Sequence, residues 1–387
     1  MRASLAAMNE VIQQERGARV RARFSKNRPL LADGAIGTNL FEVGLQTGDA
    51  PELWNVDHPD RVVALHESFV AAGSDIVLTN SFGGTRYRLA LHGADRRVRE
   101  LNVAAATLAR RAADAADGRK VFVAGSMGPT GEILAPNGAL SIEEARDAFR
   151  EQAQALAEGG ADVLWVETLS SSEEIEAALL GASDAGLPVV LTVSIDTNGR
   201  TMMGLTASDV LRIAQSTGTS PVAIGTNCGV GASEVVAAIV NYETARRDAA
   251  VGHVGSGGGA DPVADPGADP GALPLVAKAN CGIPQWKEGR IVYDGTPALM
   301  ADYATLAIDA GARIVGGCCG TTPAHVAAMR QALDTHARGN SPNVDTIVAQ
   351  LGEISQGARA QLDGDLSIQG GSASGRAERG SRRRRRG

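Results

Sequence analysis

Eight short apolar runs, each followed by a stretch of helical period, limit the folds open to this chain more than any other feature. The first ends at Asp33, and the others span Asp75 to Thr79, Lys120 to Gly125, Asp162 to Val166, Pro188 to Val193, Val222 to Thr226, Leu275 to Ala279 and Ala312 to Val315. Helical rhythm follows over Pro59 to Ala72, Val98 to Ala116, Ile142 to Gly159, Ser172 to Ala185, Ala207 to Gln215, Ala232 to Arg247, Thr296 to Ala310 and Pro323 to Arg338. Runs that are continuously apolar and rich in β-branched residues belong to strands covered on both faces, so eight β-then-α units predict an all-parallel sheet. The runs end at Asp33, Asn80, Ser126, Glu167, Ser194, Asn227 with Cys228, Asn280 with Cys281, and Cys318 with Cys319. A doubly wound open sheet would string these ends along a line of about 35–40 Å at ~4.8 Å per strand. A closed (β/α)8 barrel of the TIM type gathers them around one C-terminal mouth, and that is the fold we expect.

With 387 residues, 44% of them hydrophobic, the chain can bury a large core. Aromatic residues are only 3%, so small aliphatic side chains must fill it. We expect an N-terminal helical or flexible extension over 1–25, the barrel over 26–338, and a C-terminal helix with a disordered tail over 339–387. Val344, Ile347, Val348, Leu351 and Ile354 form the stripe of that helix. Within the barrel, 252–271 repeats Ala-Asp-Pro three times among glycines, a composition expected to form a flexible insertion. Between Arg376 and Arg386 seven arginines face one glutamate, a basic tip on a chain of net charge −7. An acidic body argues against nucleic acid as a partner. Neither a signal pattern nor a run of about 18 apolar residues is visible, so a soluble cytoplasmic protein without a membrane partner is expected. A homo-oligomer is compatible with the sequence but not read from it.

Four cysteines, unevenly placed, do not make a secreted disulfide framework. Cys228 ends the sixth run, while Cys318 and Cys319 end the eighth, flanked by Gly316-Gly317 and Gly320, which let the backbone turn sharply. Three thiolates from two strand ends make a soft, anionic pocket suited to Zn²⁺, with a fourth position open. A substrate thiol entering that position would become a thiolate at neutral pH, the competent nucleophile. A closed four-cysteine site including Cys281 would normally show C-x-x-C knuckles, which are absent; Cys281 is read as an outer-shell thiol or a small buried residue, with a fourth-ligand role also open. Asp33 and Glu167 would face each other across the mouth, where they could hold an ammonium group or simply cap helices and answer an arginine. The amides of Gly34 and Ala35 could receive a carboxylate. Six histidines are scattered, none at metal-ligand spacing.

Leu31-Ala32-Asp33-Gly34-Ala35-Ile36-Gly37-Thr38, Pro51-Glu52-Leu53-Trp54-Asn55, Thr79-Asn80-Ser81-Phe82-Gly83-Gly84, Gly125-Ser126-Met127-Gly128-Pro129-Thr130-Gly131, Glu167-Thr168, Thr226-Asn227-Cys228 and Gly316-Gly317-Cys318-Cys319-Gly320 occur in that order. Together they resemble the homocysteine S-methyltransferases, the group of betaine-homocysteine methyltransferase and of the homocysteine-binding module of cobalamin-dependent methionine synthase. The resemblance implies a barrel, zinc on Cys228, Cys318 and Cys319, and homocysteine bound through sulfur to give methionine. It further implies that Asp33 and Glu167 hold the amino group and that the amides near Gly34 and Ala35 hold the carboxylate. Asn280 would approach the zinc when substrate is absent. Betaine, or methylcobalamin on a separate partner protein, is the implied methyl donor. Gly83 stands where betaine users place a tyrosine, so an aromatic cage would have to come from Trp54, Tyr87, Trp165 or Trp286. The alternatives are transfer to another thiol, transfer from S-methylmethionine, or a non-catalytic subunit that binds homocysteine or zinc.

Overall fold

A computed structural model describes residues 2–26, 28–196, 198–253, 272–283, 285–287 and 290–365. Its strands are β1 (Leu30–Leu31), β2 (Ile76–Leu78), β3 (Phe122–Met127), β4 (Val163–Leu169), β5 (Val189–Ser194), β6 (Ala223–Cys228), β7 (Leu275–Ala279), β8 (Gln285–Lys287), β9 (Arg290–Val292) and β10 (Ala312–Gly317). Eight of them form one parallel sheet in the order β1-β10-β7-β6-β5-β4-β3-β2, and β8 with β9 makes a small antiparallel hairpin. A parallel bridge from Ala32 to Ile76 joins the two ends of that order, so the sheet closes and the (β/α)8 barrel is realised.

The seam between β1 and β2 is short of backbone and uses side chains to complete its ladder. Asp33 N–H donates to Ile76 O at 3.0 Å and Asp75 N–H to Leu31 O at 2.6 Å. Asp75 Oδ2 in turn accepts from Leu31 N–H at 3.0 Å, and Asp33 Oδ2 accepts from Leu78 N–H at 2.8 Å. Buried amides left without partners would each be costly, and two carboxylates supply what a longer β1 would have given.

Inward-facing positions recur at every second residue along each strand. Leu30, Ile76, Phe122, Val163, Val190, Ala223, Val276 and Ile314, with Ala32, Leu78, Ala124 and Trp165 above them, form one buried cluster inside the barrel. One step further toward the mouth the same stripe becomes Ser126, Glu167, Thr192, Lys278 and Cys318. The site is thus the last layer of the barrel filling, with polar side chains in place of aliphatic ones. A second cluster, rich in Ala, Val and Leu, fills the space between strands and the surrounding helices.

The N-terminal segment is a helix, Arg2–Phe24, and not a frayed extension. Val20 and Phe24 are buried within the interior cluster, and Phe24 meets Phe122 edge-on with ring centroids 6.4 Å apart. Helix starts follow local chemistry. Ser141 and Glu144 form a capping box before Ile142–Gly159, whose end is Gly160 in the left-handed conformation. Proline opens Pro59–Ala71, Pro297–Ala310 and Pro323–Thr335, where a missing N–H carries no penalty. Val344–Leu351 is helical as its stripe predicts, with Ile347 and Leu351 buried. The short helix Gln356–Leu362 was not anticipated, since it is small and polar; Ser355 caps it and Gln361 Nε2 donates to Asn198 O at 2.8 Å. The β8–β9 hairpin was also unforeseen. The core of the expected insertion, 254–271, and the arginine tail, 366–387, lie outside the described residues.

His66, on Pro59–Ala71, is fully buried and neither ring nitrogen has a hydrogen-bond partner. Burial lowers its pKa from 6.5 to about 4. The unfolded chain therefore takes up a proton that the folded chain refuses between those values, and stability falls as pH drops through that window. A shift of this size corresponds to roughly 3 kcal/mol. His66→Met should remove this component, flattening the urea-denaturation free energy between pH 6.5 and 4 relative to the parent.

Candidate active site

Cys228 is the last residue of β6 and sits in the left-handed region at φ 61°. The next residue, Gly229, is also left-handed, and a Cβ there would lie 2.3 Å from Ile195 O, so only glycine can follow. From β10 the chain turns through Cys318 and Cys319, with Cys318 N–H donating to Ala279 O at 2.7 Å. This brings the three sulfurs within 4.8 Å of one another, with Cys228 Sγ 4.0 Å from Cys319 Sγ. Two sulfurs that share a tetrahedral zinc at ~2.3 Å stand about 3.8 Å apart, so the donor set fits such an ion in spacing and in softness. Hydrogen bonds from Cys228 and Cys318 lower the Cys319 pKa to about 3, while hydrogen bonding to Cys318 and Cys319 drives Cys228 far up. The cluster by itself thus favours one negative charge, and a bound divalent cation is what would let all three sulfurs ionise. Tyr293, which sequence reasoning did not single out, packs its side chain against Gly320, the residue after Cys319.

Cys281 does not join the cluster. Its thiol is buried and donates to Gly295 O at 3.1 Å, so it is the small buried residue of the alternatives considered. Asn280 Nδ2 donates to Gly229 O at 2.7 Å and its Oδ1 accepts from Cys319 N–H at 3.0 Å. Its carboxamide therefore ties the two cysteine-bearing turns together.

Glu167 lines the cavity at the mouth, whereas Asp33 is fully buried and does not border it. What sequence reasoning missed is the group between them. Lys278 Nζ lies 3.2 Å from Asp33 Oδ1, with the side chains 3% and 0% exposed. The signal was available: a lysine inside the apolar run Leu275-Val276-Ala277-Lys278-Ala279 has to meet an anion or face solvent. Burial raises Asp33 to about 6 and Glu167 to about 7, and Lys278 opposes both shifts. Glu167 Oε1 also accepts from the Ser126 hydroxyl. Lys278 is thus ion-paired with Asp33, and its charge also acts on Glu167. Ala35 N–H donates to Thr321 O at 3.1 Å and is committed within the protein. Gly34 packs so tightly that a Cβ would lie 2.6 Å from Thr321 O.

A cavity of about 400 Å³ opens from the cysteines and passes Gly34, Ala35, Asn80, Ser126, Glu167 and Lys278. Phe41, Glu52, Phe82, Arg88 and His92 also line it, with Phe41 and Phe82 partly exposed. Three of the four aromatic residues considered for a cage are placed away from the cavity. Trp165 is sealed inside the barrel, Trp54 is buried with Leu40, Leu45 and Val62, and Tyr87 packs on the helix layer. None of the three borders the cavity, and the Trp286 side chain lies outside the described residues. Phe41 and Phe82 are the phenylalanines present.

The family model described as homocysteine S-methyltransferase matches residues 30–333, from β1 to the last barrel helix. The chain belongs to this family. It is 30% identical over 321 residues to a methionine synthase of Mycobacterium tuberculosis, matching 79% of this chain but 25% of that protein. A methionine synthase of Mycobacterium leprae is 29% identical over 330 residues, again a quarter of its length. The chain thus spans about a quarter of these curated relatives. Among solved structures, the metallated form of the homocysteine methyltransferase MmuM from Escherichia coli superposes with a TM-score of 0.62 at 27% identity, covering 81% of this chain and 99% of that one.

Lys278→Met keeps the side-chain volume and removes the interior cation. Breaking a buried pair in this way costs about 3–5 kcal/mol. Because the lysine holds both carboxyl groups down, the variant's acids should titrate higher still. Neutral acids need no partner, so the stability deficit measured in urea should be larger at pH 8 than at pH 6.

Proposed function

We propose that this chain transfers a methyl group to the sulfur of homocysteine, giving methionine, with zinc held by Cys228, Cys318 and Cys319. The convergence of three sulfurs from β6 and β10 at ion-sharing distance carries this reading. Its support from outside the chain is the family match and the resemblance to a metallated homocysteine methyltransferase. Bound zinc would supply the Lewis acidity that keeps the acceptor thiol deprotonated at neutral pH.

The residues of the chain do the rest. Glu167, which lines the cavity, offers the carboxylate for the α-ammonium group, and Asp33, fully buried and paired with Lys278, sets the charge behind it. The Gly34 amide and the turn around it take the carboxylate, Ala35 N–H being already engaged. Held at both ends of its amino-acid head, homocysteine points its sulfur toward the cysteines, and such orientation replaces much of the entropy cost of a bimolecular encounter. The new S–CH₃ bond forms as the donor's bond to that methyl breaks, and the electron pair leaves with the donor. With zinc bound, the thiol would release its proton to solvent on binding, so no general base would be required at the transfer step.

The donor enters from the outer cavity, past Phe41 and Phe82. With Trp54, Tyr87 and Trp165 away from the cavity, methylcobalamin carried by a separate protein is the donor we favour, on the resemblance to the homocysteine-binding module of cobalamin-dependent methionine synthase, and betaine is the second reading. Supplying homocysteine with a methylcobalamin protein, betaine or S-methylmethionine in turn and measuring methionine tests this choice. Cys318→Ala should lose both the metal, read by elemental analysis, and methionine formation, by at least about 10³-fold. Full turnover by metal-free protein would refute the zinc assignment.

A further inference from the structure

Among the described residues only two that are not glycine have positive φ, Thr168 at 65° and Cys228 at 61°. They are on different strands, β4 and β6, with β5 between them, and each adjoins or is a residue of the site. Thr168 follows Glu167, and Cys228 is a member of the sulfur cluster. One side chain joins them. Asn227, which precedes Cys228 and is fully buried, accepts from Thr168 N–H on its Oδ1 at 2.9 Å and donates from Nδ2 to Thr168 Oγ1 at 2.8 Å.

Register explains why this link exists. Along β4 and β5, Val166 pairs with Leu191 but Leu169 pairs with Val193, so β4 carries one extra residue at Glu167-Thr168. Such a bulge turns a side chain away from its regular direction and removes a ladder partner from the backbone. The amide of Thr168, released from β5, finds its acceptor in Asn227 across the top of that strand. A β-branched residue held left-handed needs surroundings that over-determine it, and the paired bonds provide them.

We propose that Asn227 is a positioning residue that couples the metal corner to the amino-group corner: by clasping Thr168 it holds the bulge that aims Glu167 and the left-handed turn that presents Cys228. This rests on the methyl-transfer reading above, but its test separates the two. In the full chain, Asn227→Ala should weaken zinc binding about 10–100-fold in competition with a chromophoric chelator, the range for lost outer-shell partners of metal ligands. At saturating zinc its KM for homocysteine should rise about tenfold, with kcat changed by less than about threefold, since only orientation of the ammonium group is affected. Glycine adopts the left-handed conformation freely. Thr168→Gly in the Asn227→Ala background should therefore restore KM while zinc binding stays weak. A residue that merely stabilised the fold would give no such split rescue. Should Asn227→Ala fail to fold, Thr168→Val, which deletes only the hydroxyl acceptor, should show the same two effects at smaller size. Zinc affinity and KM within twofold of the parent in the folded variant, or no recovery of KM with glycine at 168, would overturn the proposal. A parent that binds no zinc would instead overturn the underlying function.

Discussion

A ring of eight strands depends on its first strand meeting its second, and here that meeting is made by carboxylates. β1 has two residues, too few for a full ladder, and Asp33 and Asp75 lend their side chains to amides of the neighbouring strand. Asp33 thereby serves closure and chemistry at once: Oδ2 completes the seam and Oδ1 faces Lys278. The barrel cannot lose this residue from beside Lys278 without also losing part of its fastening. A fixed backbone partner on one oxygen also leaves the other with a defined direction, so the anionic corner is set before any ligand arrives.

The architecture was legible because parallel strands buried on both faces leave continuous apolar runs, and eight of them alternate with helical periods. Where the runs stop, the chemistry starts, which is why Asp33, Glu167 and the cysteines could be picked out as strand-end residues. The helix after β3 is predicted over the residues it occupies, Ile142–Gly159, because capping box and terminal glycine are both local signals. Cys281 shows the limit of that logic. It too ends an apolar run, but which way a thiol points depends on a turn, and Gly295 O turns it away from the other three.

The features that escaped sequence reading are those written in tertiary contacts. The β4 bulge exists only relative to β5, and no periodicity within Val163–Leu169 announces it. An aromatic cage was sought in tryptophans because of their chemistry, whereas the burial of Trp165 in the barrel and of Trp54 under the first loops is a packing outcome. Lys278 is different, since a cation in an apolar strand was in plain view. Its partners, 245 residues earlier in the chain at Asp33 and nearby at Glu167, were recognised only as a pair facing each other. The missing step was to ask what would neutralise two acids placed that close together.

The N-terminal helix has a consequence for traffic. With Val20 and Phe24 stoppering the far end and Trp165 filling the middle, the barrel is a blind well with one rim. Whatever occupies the floor beside Lys278 has to arrive before anything that covers the rim, where Phe41 and Phe82 are partly exposed. Under the proposed chemistry the amino acid is therefore first in and last out, and a bulky methyl carrier acts as the lid under which the transfer takes place.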